Sequence, residues 1–268
     1  MSQANLVQID SIEDPRVAPY RELKDRELAR QTGGRFIAEG EHVVRRLLAS
    51  DFPVESLLLT RRRAQQIAPL AEARGAPVYV APDEMMHQII GYKFHSGVIA
   101  CGLRKPPVTL EQIVPRDRKP LTLVVCPEIS SNENLGSLIR ISAAFGAGAM
   151  LLGERSADPF FRQSIRVSMG TIFSLPVLQS QDLMHDLARL KNESEVELIA
   201  SVLDESAESL SNAARRERIA ILIGNEAQGL PREYVELCDR RVTIPMRLGT
   251  DSLNVAVAAG VFLYHFTS

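Results

Sequence analysis

Three polar stretches in the second half of the chain carry the residues best suited to chemistry, and the first two follow apolar runs. In PEISSNENLGSLIR, residues 127–140, Asn134 is placed to N-cap the next helix, and Gly136 lets another backbone approach its first turn. Arg140 lies six residues further, almost two turns on, and is expected to leave the helix near the side of its start. In GNEAQGLP, residues 224–231, Gly224 and Gly229 bracket Asn225 and Glu226 and predict a tight turn with exposed backbone polar groups. Glu226 is either a charge at a helix N-terminus or a site carboxylate. In IPMRLGTDSLNVAVAAG, residues 244–260, Pro245 ends a strand, Gly249 loosens a loop, Ser252 is expected to N-cap the last helix and Asn254 opens it. This set can hydrogen-bond a ligand and grip a phosphate or carboxylate through Arg140. Taken alone, the first stretch reads more readily as an Asn cap beside a surface arginine.

Other chemistries lack their signatures. There is no G-x-G-x-x-G after a strand, no G-x-x-x-x-G-K-[ST] and no G-x-S-x-G, so dehydrogenase, P-loop and esterase readings lose support. Five histidines (42, 87, 95, 185, 265) show no ligand spacing, and no metal site is expected. Cys101, Cys126 and Cys238 are far apart and odd in number, which predicts free buried thiols in a reducing compartment.

The elements that must position the three stretches alternate between strand and helix. Leu121–Cys126 is a continuous apolar run, as in a strand buried on both faces. Then come helix Leu135–Phe145, strand Ala149–Leu152, helix Phe160–Ser168, strand Ser174–Leu178, helix Gln181–Leu190, strands Glu197–Leu203 and Ile219–Ile223, helix Pro231–Cys238, strand Arg241–Ile244 and helix Ser252–Phe266. That order predicts a parallel sheet covered by helices, with ligands beyond the carboxyl ends of the strands. The last helix is apolar on more than one face, so it must be buried in the domain or in an oligomer interface. Residues 1–105 alternate similarly and predict a small α/β domain, opened by a helix-prone segment over residues 19–30. Between the two, residues 106–120 carry Pro106, Pro107, Pro115 and Pro120 without periodicity and read as a linker. The second domain is expected over 121–268.

The 268 residues are 45% apolar and 24% charged, which excludes disordered, collagen-like and disulfide-scaffold classes. The net charge of −2 argues against non-specific polyanion binding and leaves room for a local patch. Two basic clusters stand out: Arg61, Arg62 and Arg63, and Arg116, Arg118 and Lys119. Each is either a phosphate-contacting patch or a solvated charged turn. With no secretory signal and no apolar run long enough for a membrane span, the chain reads as cytoplasmic.

N-x-G-x-x-x-R at 134–140, G-N-E-x-x-G at 224–229 and I-P-M…S-L-N-V at 244–255 occur in that order, and together they strongly resemble the SpoU (TrmH) family of RNA ribose 2′-O-methyltransferases within the SPOUT superfamily. RVSMGTIFSLPV at 166–177 looks like the family's segment between its first two motifs. FIAEGEHVVRRLL at 36–48 and GVIACG at 97–102 more weakly resemble its ribosomal-protein-like substrate-binding domain. The resemblance implies a deep trefoil knot, which general folding rules would have argued against. It implies S-adenosylmethionine as cofactor, held by Gly224, Ile244, Met246 and Leu253. It also implies a homodimer through the knotted domain, no metal, and structured RNA as substrate. Ribosomal RNA is favoured over tRNA, and a non-catalytic RNA-binding or ribosome-assembly protein is the alternative. By motif, Asn134 would fix the loop around Arg140, which would position phosphate. Glu226 would orient Arg140 or relay a proton, and Ser252 and Asn254 would complete the pocket. Two departures stand out: Ser131-Asn132-Glu133 occupies the place of the family's frequent Asp-Pro, and Ala256 replaces a frequent Ser. Both leave substrate placement less defined.

Overall fold

The computed structural model describes residues 6–21, 23, 34–225 and 227–267. The chain forms two compact units, Met1–Pro106 with Phe160–Phe173, and Pro107–Pro159 with Ser174–Ser268.

The first unit is built on a five-stranded sheet. Its strands are β1 (Leu6–Gln8), β2 (Arg35–Glu39), β3 (Val54–Thr60), β4 (Val78–Ala81) and β5 (Val98–Leu103), in the order β1-β4-β3-β5-β2. β1, β4 and β3 are parallel, and β5 runs antiparallel to both β3 and β2. Helices α1 (Glu41–Ala49), α2 (Arg61–Glu72) and α3 (Asp83–Ile90) alternate with the strands. The expected helix over residues 19–30 falls mostly outside the described residues; Pro15–Tyr20 is a 3-10 helix that buries Val17 and Tyr20.

Residues 160–173, read from the sequence as part of the second domain, pack in this unit. Phe160 and Phe173 lie against Phe36, with ring centroids 5.3 and 5.4 Å away, and both also meet Phe52. Helix α6 (Arg162–Val167) is pinned by Arg162, which donates to Glu39 at 2.7 Å and to the Tyr92 hydroxyl. Arg46 donates to the Met169 carbonyl at 2.6 Å.

The second unit carries seven strands. They are β6 (Leu121–Cys126), β7 (Ala149–Leu152), β8 (Val177–Gln179), β9 (Glu197–Ser201), β10 (Glu208–Ser209), β11 (Arg218–Leu222) and β12 (Arg240–Thr243). The order is β10-β12-β9-β11-β6-β7-β8, and every neighbour is parallel. The parallel-sheet expectation is borne out. β11 is buried at all five positions, as a central strand covered on both faces must be. It is inserted between β6 and β9 although it follows both in the chain. Helices α5 (Asn132–Ala144), α7 (Leu183–Ser194), α8 (Arg232–Leu237) and α9 (Val255–Thr267) complete the unit.

The segment expected to be a free linker is folded. Thr109 and Gln112 form a reciprocal capping box around the single helical turn α4 (Leu110–Ile113). Leu110, Ile113 and Val114 join the core beneath the sheet. Arg189 binds Glu111 at 2.8 Å, and Arg218 donates to the Lys119 carbonyl at 2.8 Å. Four helical residues are too few to show a periodicity, which is why the prolines dominated the sequence reading.

The three cysteines are free. Burial pushes the thiols of Cys101 and Cys238 up to about 12, so both stay protonated at neutral pH. No helix among the described residues is long and apolar enough to cross a membrane.

Candidate active site

The parallel order brings the carboxyl ends of β9, β11 and β12 to one side of the second unit, and a cavity of about 670 Å³ opens there. That volume lies within the roughly 300–1,000 Å³ typical of small-molecule sites. Gly224, Ile244, Met246 and Leu253 line it, as do Asn134, Ser252 and Asn254. Residues from all three polar stretches therefore share one wall, although up to 120 positions separate them.

The first and third stretches are joined directly. The Asn254 side-chain N–H donates to the Asn134 side-chain oxygen at 3.1 Å. Both helix starts differ from the sequence expectation. Ser131, not Asn134, caps α5, accepting from the Asn134 backbone N–H at 3.2 Å. Asn254, not Ser252, caps α9, accepting from the Ala256 N–H at 2.9 Å. Asn134 thus lies inside the first turn of α5, where its side chain forms part of the cavity wall.

The second stretch is a tight turn, as expected. Asn225 and Gly229 exchange two backbone hydrogen bonds of 2.9 Å, and the Asn225 side chain accepts from Ala227 N–H at 2.9 Å. An added Cβ at Gly224 would lie 2.4 Å from the Gly229 carbonyl carbon, so glycine is required there. Gly229 needs its freedom for another reason: its φ is +69°. Glu226 lies outside the described residues.

Arg140 is exposed, is absent from the cavity lining, and makes no ion pair among the described residues. Six residues at about 100° each carry its side chain about 120° round the helix from Asn134. The spacing that suggested a shared side therefore separates the two. Sequence reasoning also missed a fourth contributor to the cavity. Ser201, Val202, Leu203 and Asp204, at the end of β9, form part of its wall. The sequence reading ran that strand on to Leu203, and the only local sign of a loop was Asp204 ending the apolar run.

The basic clusters differ in their surroundings. Arg61 and Arg62 are exposed in the first turn of α2, while Arg63 is bound to Glu41 at 2.7 Å. In the other cluster, Lys119 pairs with Asp117 at 2.7 Å and Arg118 with Glu195 at 3.1 Å, leaving Arg116 exposed. Among the described residues, no group of three or more His, Cys, Asp or Glu side chains could hold a metal ion.

A parallel sheet with a polar-rimmed cavity at its strand ends defines an α/β ligand-binding architecture. Comparison with known proteins specifies it. Residues 121–264 match the SpoU rRNA methylase family and residues 14–100 an MRM3-like substrate-binding domain, so the chain belongs to the SpoU rRNA methylase family. It is 38% identical to an uncharacterized tRNA/rRNA methyltransferase of Mycobacterium tuberculosis, over 95% of this chain and 89% of the relative. It is 31% identical to a 23S rRNA (guanosine-2′-O-)-methyltransferase of Acinetobacter baylyi, over 76% and 83%. The AdoMet-bound rRNA methyltransferase of Sinorhizobium meliloti superposes with a TM-score of 0.82 at 25% identity, covering 97% of both chains.

Proposed function

We propose that the protein transfers a methyl group from S-adenosylmethionine to a ribose 2′-hydroxyl of structured RNA, with ribosomal RNA as its substrate. The observation that carries this reading is the single cavity in which Asn134, Gly224, Ile244 and Asn254 meet. The residues fit the cofactor. Ile223, Ile244, Leu253 and Phe262 offer apolar surface, and the 224–230 turn offers backbone polar groups beside it. When bound, the cofactor supplies an already activated electrophilic methyl, so the protein's work is alignment and proton removal. Asn134 and Asn254 hold each other and fix the polar wall against which the ribose is placed. Ser252, exposed on the same rim, adds a hydroxyl. Arg140 is a phosphate-positioning group, because a guanidinium stays protonated and makes a poor base. Glu226 keeps its proposed role on the strength of its motif.

The first unit is the RNA-binding one and the second the transferase. Three arginines in the first turn of α2 oppose the helix dipole, a cost that a phosphate at that end would relieve. Arg61 and Arg62 are therefore the stronger phosphate contacts, and among the described residues Arg116, unlike Arg118 and Lys119, has no carboxylate partner. The chain path through the second unit is a deep trefoil knot in this reading. The decisive test is transfer of tritiated methyl to unmodified ribosomal RNA transcripts. The Arg140→Ala variant should bind S-adenosylmethionine as the wild type does while losing about 10²-fold or more in turnover. Near-normal turnover would overturn the Arg140 assignment, and no cofactor binding by the wild type would overturn the enzyme.

The protein is also a homodimer in this reading, and it acts in the cytoplasm. Helix α9 is not buried all round: Val257, Val261 and Tyr264, spaced by four and three residues, are 52%, 39% and 65% exposed. They form one apolar stripe, with Tyr264 edge-on to Phe145 of α5. Such a stripe on an otherwise apolar helix marks an interface. Val261→Asp should shift the mass measured by light scattering from dimer to monomer, and an unchanged dimer would place the interface elsewhere.

A further inference from the structure

Leu248 combines two unfavourable features. Its side chain is fully exposed, and its φ is +58°, the left-handed region that leucine rarely adopts. The other described non-glycine residues with positive φ are Arg118, Met169 and Glu195. Each of those is held by a partner. Arg118 and Glu195 form an ion pair with each other, and the Met169 carbonyl accepts from Arg46. Leu248 is the apolar, exposed member of the set. It stands at the tip of a turn closed by the Thr250 N–H on the Arg247 carbonyl at 3.2 Å, and Gly249 continues the left-handed backbone at φ +69°. Both feet of this arch, Met246 and Ser252, line the cavity.

We propose that Leu248 is a substrate-positioning residue that packs against the face of an unstacked RNA nucleotide at the cavity rim, with the exposed Arg247 taking an adjacent phosphate. This inference rests on the function proposed above. The 2′-hydroxyls of a paired RNA helix lie along its shallow minor groove, whereas a nucleotide splayed out of a loop or bulge can carry its ribose into a concave pocket. The gap and the extruded base both expose apolar surface. A leucine held outward on a turn, beside a cation, matches that chemistry without reading sequence. Backbone strain kept at a site's rim is itself a pointer to use, because a glycine or asparagine there would be cheaper.

The test uses the full chain with tritiated S-adenosylmethionine and unmodified ribosomal RNA transcripts, under single-turnover conditions. Leu248→Gly removes the side chain and relieves the backbone. Its thermal midpoint should hold or rise, its affinity for S-adenosylmethionine and its oligomeric mass should not change, and its transfer rate should fall at least about tenfold. Leu248→Met, which restores an apolar side chain, should recover most of that rate. A Leu248→Gly rate within about twofold of the wild type overturns the inference and leaves the methyltransferase reading intact. Loss of the dimer also overturns it, by assigning Leu248 to the subunit interface. A wild-type chain that methylates none of the transcripts overturns both.

Discussion

The Gly224→Ala variant is expected to fold and to lose affinity for S-adenosylmethionine by about 10²-fold or more, equivalent to roughly 2.7 kcal/mol of binding. The reason is steric and local. The new methyl would lie 2.4 Å from the Gly229 carbonyl carbon and 2.5 Å from the Leu230 nitrogen. Both are backbone atoms, so no rotamer change relieves the clash. The turn must open, and the two 2.9 Å bonds between Asn225 and Gly229 are what hold it closed. Gly224, Asn225, Gly229 and Leu230 all line the cavity, so an opened turn reshapes the wall that meets the cofactor. Gly229→Ala is the control. Nothing lies within 4 Å of its added methyl, and its penalty is the positive φ alone, about 1–2 kcal/mol of stability. Calorimetry should separate the two: Gly229→Ala costs stability with a small change in affinity, whereas Gly224→Ala costs both stability and affinity. Affinity within about threefold of the wild type for Gly224→Ala would remove this cavity as the cofactor site.

The sequence disclosed the parts of this arrangement that rest on local pattern. The apolar run Leu121–Cys126 and the apolar strand before Gly224 could only be buried strands, and parallel order then sends their following loops to one side. What failed was information that a local pattern does not hold. Whether Asn134 or Ser131 caps a helix depends on where the backbone turns helical, and a shift of one residue swings a side chain by about 100°. The same sensitivity moved the second cap from Ser252 to Asn254, whereas Arg140 is turned away from Asn134 by its six-residue spacing, which the sequence already held. The helix read over Phe160–Ser168 is present at Arg162–Val167, but the packing of Phe160 and Phe173 against Phe36 and Phe52 spans more than a hundred residues and leaves no local trace. The β9 end contributes cavity wall through Ser201–Asp204 by position rather than by motif, and for the same reason it went unseen.

Asn254 is expected to be the most informative side chain in the site because it does two jobs with two different atoms. Its side-chain oxygen caps α9 through the Ala256 N–H, and its side-chain nitrogen donates to Asn134. Asn254→Ala removes both, and loss of the cap should cost about 1 kcal/mol of stability, read as a lower thermal midpoint. Asn254→Ser keeps a good cap but is too short to reach Asn134, so its midpoint should stay near that of the wild type. The hydrogen bond itself is worth only about 0.5–1.5 kcal/mol. Its larger effect is on geometry, since a polar wall misplaced by about an ångström can cost a hundredfold in rate. Both variants should therefore lose methyl transfer by at least about tenfold, through turnover more than through cofactor affinity. Combining Asn254→Ser with Asn134→Ala should add little to either single loss, because each already breaks the same contact. If Asn254→Ser transferred methyl at the wild-type rate, the Asn134–Asn254 bond would be a fastening between the first turn of α5 and the start of α9, with no part in placing the ribose.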